Sequence, residues 1–146
     1  MPFLMAFLVY VLAGFSYVSS DLEPVYNEVV ADVKEITSTY KSCSPRGFNS
    51  KLYVTSVDPE VMPEEALGIC MYQLIHRSIW IDRKYWQAAD DSDRYSLMAH
   101  EYAHCALDKE HSLDYNNYMF FLAVRLPKES VKIQLQADVK KYCDKP

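Results

Sequence analysis

Glycine is nearly absent, with three residues in a chain of 146. Loops that wrap backbone N–H groups around phosphates need several glycines within a few positions, so nucleotide chemistry of that kind is excluded. Runs of Lys or Arg are missing too. With 15 basic against 20 acidic residues the formal net charge is −5, the wrong sign for a surface that tracks a nucleic-acid backbone. There is no C-x-x-C pair, which removes the commonest frame for a cysteine-built structural zinc site. Internal repeats and low-complexity tracts are also lacking. A chain of this length without them fits one compact domain that buries its own core.

One long apolar run is present. The first twenty residues, MPFLMAFLVYVLAGFSYVSS, carry no charged side chain, and the composition changes at Asp21. Val18 and Ser20 suit the −3 and −1 positions of a secretory signal peptide cleaved before Asp21. The stretch lacks a basic n-region, and its length approaches a membrane span, so an uncleaved N-terminal anchor is the alternative. The expected division is 1–20 as signal peptide or anchor and 21–146 as the working domain. Either way that domain operates outside the cytosol: secreted, periplasmic, or on a cell or virion surface. Contact with membrane is expected only if residues 1–20 stay attached.

The four cysteines Cys43, Cys70, Cys105 and Cys143 fit such a compartment, where an even number can pair. Three connectivities exist. Cys43 follows the first helical segment and Cys143 ends the last, so a staple between the two ends is reasonable. Cys70 and Cys105 would then tie a strand to a helix. Free buried thiols are the other reading.

Hydrophobic periodicity supplies the elements. Val25, Val29, Val33, Ile36 and Tyr40 recur at helical spacing and predict an amphipathic helix over 22–41. KLYVTSVD alternates as a strand would, and Asp58-Pro59 ends it. GICMYQL and RSIWID predict two further strands, adjacent and antiparallel. Trp86 marks a short helical turn, and Asp90, Asp91, Ser92 and Asp93 offer N-cap chemistry for a helix running to Leu107. A turn-rich stretch over 108–117 and an apolar segment over 118–126 lead to Pro127, which suits the first turn of a closing helix. The expected fold is α+β: an N-terminal helix, a short, mostly antiparallel three-stranded sheet, a central helix and a C-terminal helix.

Three of the four histidines fall within SLMAHEYAHCALDKEH. His100, Glu101 and His104 form H-E-x-x-H on the predicted helix. Residues i and i+4 lie on one helical face about 6 Å apart along the axis, so both imidazoles can reach one tetrahedral cation. A glutamate beside that face can hydrogen-bond a water on the metal and take its proton, which makes Glu101 the candidate general base. A third ligand must come from Asp108, Glu110, His111 or Asp114. His76, the remaining histidine, reads as a surface residue.

H-E-x-x-H resembles the zincin metallopeptidases, and the wider pattern looks like their metzincin branch. That branch has x-x-G-x-x-H after the motif and a methionine-containing turn below the metal. In register, it calls for a glycine at position 107 and a histidine at position 110, where this chain has Leu107 and Glu110. A shift of one residue puts Asp108 in the place of the glycine, and Asp tolerates the left-handed conformation. His111 then follows as the third ligand. AHEYAHCALDKEH is also similar to bacterial and phage-type metallopeptidase-like sequences with H-E-x-x-H-C, a short turn and a histidine. Those share an upstream Gly-x-Cys strand, as in Gly68-Ile69-Cys70, and a hydrophobic-Asp segment followed by Trp, as in Ile81-Asp82 and Trp86. This likeness favours pairing Cys70 with Cys105.

The resemblance implies a metzincin-like zincin domain that binds one zinc ion and hydrolyses peptide or protein substrates. It implies Met119 as the methionine beneath the metal, although a core methionine is an equal reading. Tyr115 and Tyr118 carry hydroxyls able to donate to an oxyanion, but in a chain with twelve tyrosines packing is their commoner use. If RSIWID is an exposed edge strand, Trp80 would flank an extended substrate added to the sheet. The competing class is a disulfide-stapled binding module of a virion or cell surface, keeping a structural or inactive zinc site.

Overall fold

A computed structural model describes residues 17–45, 52–63, 65–73, 76–120 and 125–145. The elements are β1 (Tyr17–Val18), α1 (Glu23–Thr37), β2 (Leu52–Val57), a single 3-10 turn (Pro59–Val61), β3 (Gly68–Tyr72), β4 (Arg77–Asp82), α2 (Arg83–Ala88), α3 (Asp91–Leu107) and α4 (Lys128–Cys143). The fold is α+β, as the periodicities predict. Of the apolar stretch 1–20, residues 1–16 lie outside the described residues, as do residues 121–124 of the 118–126 segment. Among the described residues no helix is long and apolar enough to cross a membrane.

The sheet departs from expectation. It has four strands in the order β1-β2-β4-β3, and only β3 and β4 pair antiparallel; β1 with β2 and β2 with β4 are parallel. The reason lies in β4. Ile79 and Ile81 are fully buried and Ser78 nearly so, so this strand is covered on both faces and takes an interior place. The connection from Asp58 to Leu67 carries the chain past it to the sheet edge. Consequently Trp80 does not lie on an edge strand: β4 is hydrogen-bonded on both sides, and among the described residues the edge next to it belongs to β3.

β1 comes from the end of the apolar stretch. The Ser19 N–H donates to the Val54 carbonyl (2.9 Å), and the Ser19 carbonyl accepts from the N–H groups of Leu22 and Glu23 (both 3.0 Å). Helix α1 stops at Thr37 rather than near residue 41. The hydroxyls of Thr37, Ser38 and Thr39 bond back to carbonyls three residues earlier, a local competition that weakens helix propagation.

Helix α3 packs on β3 and β4, while α1 and α4 pack on α3. Fully buried Val29 and Val33 of α1, Tyr95, Met98 and Tyr102 of α3, and Val131, Leu135 and Val139 of α4 meet in one core. The i, i+4 spacing on α4 explains why that helix shows one narrow apolar stripe. Polar ties also cross this bundle: the Tyr95 hydroxyl donates to Asp32 Oδ2 at 2.7 Å, Lys132 pairs with Asp32 at 2.9 Å, and Lys128 pairs with Glu28 and Asp91 at 2.6 and 2.8 Å.

Both disulfides form, Cys43–Cys143 and Cys70–Cys105, with Cα separations of 5.4 and 5.5 Å. The first joins the segment after α1 to the last residue of α4, and the second joins β3 to α3. Two disulfides point to folding in an oxidising environment outside the reducing cytosol.

Candidate metal centre

Helix α3 presents the histidines. Asp90 caps it by accepting from the Asp93 N–H at 2.8 Å, and acidic residues in its first turn suit the helix dipole. At the other end Asp108 stands in the left-handed conformation with φ 52°, as the shifted register requires. The N–H groups of Asp108 and Lys109 both close on the Ala103 carbonyl, the second at 3.1 Å, and end the helix. This reversal brings His111 back over the helix face.

His100, His104 and His111 converge, with one ligating nitrogen from each lying within 4.8 Å of the others. The ring centroids are 4.8 Å (His100–His104), 5.2 Å (His100–His111) and 4.6 Å (His104–His111) apart. The group can hold a metal ion. The other third-ligand candidates stand apart from it: Asp108 pairs with Arg77 at 2.7 Å, Asp114 accepts from the Asn116 N–H at 2.9 Å, and Glu110 is exposed.

The hydrogen bonds fix the tautomers. His100 Nδ1 lies 2.8 Å from the Tyr118 carbonyl and His104 Nδ1 lies 2.5 Å from the Lys109 carbonyl. A carbonyl only accepts, so each Nδ1 carries the hydrogen. Burial drives the His100 pKa down to about 4, against the pull of the Tyr118 carbonyl, and lowers that of His104 against the Lys109 carbonyl. Both rings are therefore neutral, with bare Nε2 lone pairs, and those two nitrogens face each other at 3.1 Å. Two lone pairs at that distance repel unless a cation lies between them. Nitrogens each about 2.0–2.1 Å from a tetrahedral zinc ion would sit roughly 3.4 Å apart, so the donor set fits that ion.

Glu101 is buried at 4% exposure. Burial pushes its pKa up to about 8, opposed by the Cys70 backbone N–H, which donates to the carboxylate. A cation at the imidazoles would favour the ionised form. Gly68 makes room for this side chain: a Cβ built there would lie 2.8 Å from Glu101 Cγ and Oε1. The signal was available, because a glycine within a strand marks a close approach, and in a chain with so few it carries weight. Gly68→Ala is expected to displace the carboxylate without changing metal uptake, because the added methyl meets Glu101 and not the three histidines; elemental analysis of the variant beside the wild type checks this.

Gly68, Leu97, His100, Glu101, His111 and Phe120 line a cavity of about 550 Å³. Around it, several elements lock the end of α3 to the sheet. Cys105 bonds Cys70, Arg77 Nη1 donates to the Cys105 carbonyl (2.5 Å) and to Asp108 (2.7 Å), and the Tyr72 hydroxyl donates to the His104 carbonyl (2.9 Å).

The remaining candidates separate clearly. Met119 is fully buried, and its carbonyl accepts from the Ser112 N–H at 2.8 Å, next to His111. The Tyr118 hydroxyl is committed to Asp138 at 2.9 Å, and the Tyr115 side chain projects into solvent. His76 is half-buried rather than on the surface, its ring tilted against Tyr53 with centroids 5.1 Å apart, and it stands outside the group of the other three histidines. No family model, curated protein or solved structure matches the chain.

Proposed function

We propose that the protein is a zinc-dependent peptidase acting outside the cytosol on extended segments of peptide or protein, with Glu101 as general base. The observation that carries this reading is the pair of neutral imidazoles with opposed Nε2 lone pairs at 3.1 Å, joined by His111 and flanked by a buried carboxylate. A bound zinc ion would supply Lewis acidity, lowering the pKa of water to about 7 and polarising a peptide carbonyl. Glu101 accepts a proton from the attacking water and returns it to the departing amine. The Cys70 N–H and the space left by Gly68 hold the Glu101 carboxylate in one orientation.

Substrate register follows from β3. Gln73 N–H bonds the His76 carbonyl and Asp82 N–H bonds the Leu67 carbonyl. In the paired register this turns the backbone groups of residues 67, 69, 71 and 73 toward β4. The groups of Gly68, Cys70 and Tyr72 therefore face away from β4, toward the outer edge that β3 forms among the described residues, where the Cys70 N–H meets Glu101. An extended peptide added along that edge runs past the general base.

A structural zinc site closes with four protein ligands. Here the convergent group among the described residues has three, and two of them line the 550 Å³ cavity. That geometry favours an open, reactive position over a binding module with a structural ion. Elemental analysis of the purified protein and of His111→Ala tests the reading. Equimolar zinc, markedly weakened by the substitution, is the expected result. Absence of any bound metal after zinc is supplied would sink it.

A further inference from the structure

We infer that Asp138, on α4, is a positioning residue that orients both imidazoles of the H-E-x-x-H pair through two backbone carbonyls at once. The inference rests on the metal-site reading above. It goes beyond that reading because Asp138 touches neither histidine and lies far from them in sequence.

The two chains of contacts are separate and parallel. Asp138 Oδ2 accepts from the Tyr118 hydroxyl at 2.9 Å, and the Tyr118 carbonyl accepts from His100 Nδ1 at 2.8 Å. Asp138 Oδ1 accepts from Lys109 Nζ at 2.7 Å, and the Lys109 carbonyl accepts from His104 Nδ1 at 2.5 Å. Each carboxylate oxygen thus holds one residue, and the carbonyl of that residue holds one ring. Tyr118 is 4% exposed and the Asp138 side chain 16%, so the first contact is shielded from competing water, while the second is half-buried, with the Lys109 side chain 31% exposed.

The carbonyls need such an anchor. Lys109 and Tyr118 both lie between α3 and α4 in segments outside the sheet, where the one bridge among the described residues is the isolated pair Ser112–Phe120. Helix α4 supplies the missing frame. One turn before Asp138, Gln134 Oε1 accepts from the Tyr118 N–H at 3.1 Å, and Gln134 Nε2 donates to the Asn116 carbonyl at 3.0 Å. Positions i and i+4 share a helix face, so Gln134 and Asp138 form one polar strip beside the buried stripe Val131, Leu135 and Val139. Through that strip the ring orientations are tied to the helical core. Groups that orient metal-ligating imidazoles typically govern affinity by 10–100-fold.

The test uses Asp138→Asn, which keeps shape but leaves one acceptor atom for two donors, with Tyr118→Phe and Lys109→Met removing one arm each. Affinity for Zn²⁺ is measured by competition with a chelator, the visible spectrum of the Co²⁺-loaded protein is recorded, and the metal-free protein is melted. Asp138→Asn should bind Zn²⁺ about 10–100-fold more weakly and shift the Co²⁺ bands. The metal-free melting temperature should move little, and each single-arm variant should show a smaller loss. A purely structural role would lower the metal-free melting temperature without altering the spectrum. Wild-type affinity and an unchanged spectrum in Asp138→Asn would overturn the inference while leaving the metal site standing. Should Asp138→Asn not fold, wild-type affinity in both single-arm variants overturns it equally. Failure of the wild type itself to take up Zn²⁺ overturns both readings.

Discussion

Glu101→Gln should retain metal and lose hydrolysis. The amide keeps the length and shape of the side chain, so it fits the space beside Gly68, where an added Cβ would already collide at 2.8 Å. Its Oε1 can still accept from the Cys70 N–H, the one contact that orients the carboxylate. The three histidines are untouched, and the carbonyl partners of His100 and His104 belong to other residues. What disappears is the capacity to take a proton. General-base catalysis by a positioned side chain contributes about 10²–10⁴-fold, and a loss of that size in kcat is expected. The measurement is peptide cleavage against zinc content on the same preparation. Full activity with zinc bound would assign the proton transfer to another group; among the described residues the other carboxylates lining the cavity are Asp93, whose side chain is 12% exposed, and Glu65.

The histidine cluster was more legible in the sequence than the architecture around it. H-E-x-x-H is a local pattern, and helical periodicity alone places His100 and His104 on one face. The turn at Asp108 could also be read locally, since few residues other than glycine accept φ 52° there. Strand order is different, because it depends on contacts distant in sequence. Nothing local in RSIWID says that β4 inserts between β2 and β3, and an alternating strand looks alike at an edge and in the interior. Trp80 was accordingly placed on an edge it does not occupy, while Gly68 and Cys70, on the true edge, border Glu101. Two residues of β1 were hidden for another reason: the same apolar, small-residue signal describes a leader end and a short edge strand. Asp138 carries no pattern at all. Its role emerges only when α4 is docked against the loops that follow α3.

The largest expected stability effect lies away from the chemistry, at Cys43–Cys143. This bond spans 100 residues, against 35 for Cys70–Cys105. In the chain-entropy account, closing loops of those lengths restricts the unfolded chain by about 4.7 and 3.8 kcal/mol respectively. Domains of this size are stable by only about 5–15 kcal/mol, so the longer loop is a large share. Little else secures the same corner. The Tyr40 hydroxyl reaches Asp144 at 2.7 Å, but that contact is exposed and open to water. The double variant Cys43→Ser/Cys143→Ser should therefore lose about 2–5 kcal/mol, a fall in melting temperature of roughly 10 °C at this chain length. Zinc affinity should survive, because α4 remains seated by Val131, Leu135 and Val139 and Asp138 stays in place. Cys70→Ser/Cys105→Ser should behave in the opposite way, losing somewhat less stability but more turnover, since it loosens the strand whose Cys70 N–H orients Glu101. Thermal melts and peptide kinetics on the two double variants separate these outcomes. Equal melting temperatures for wild type and the Cys43/Cys143 variant would show that helix packing alone holds the two ends together.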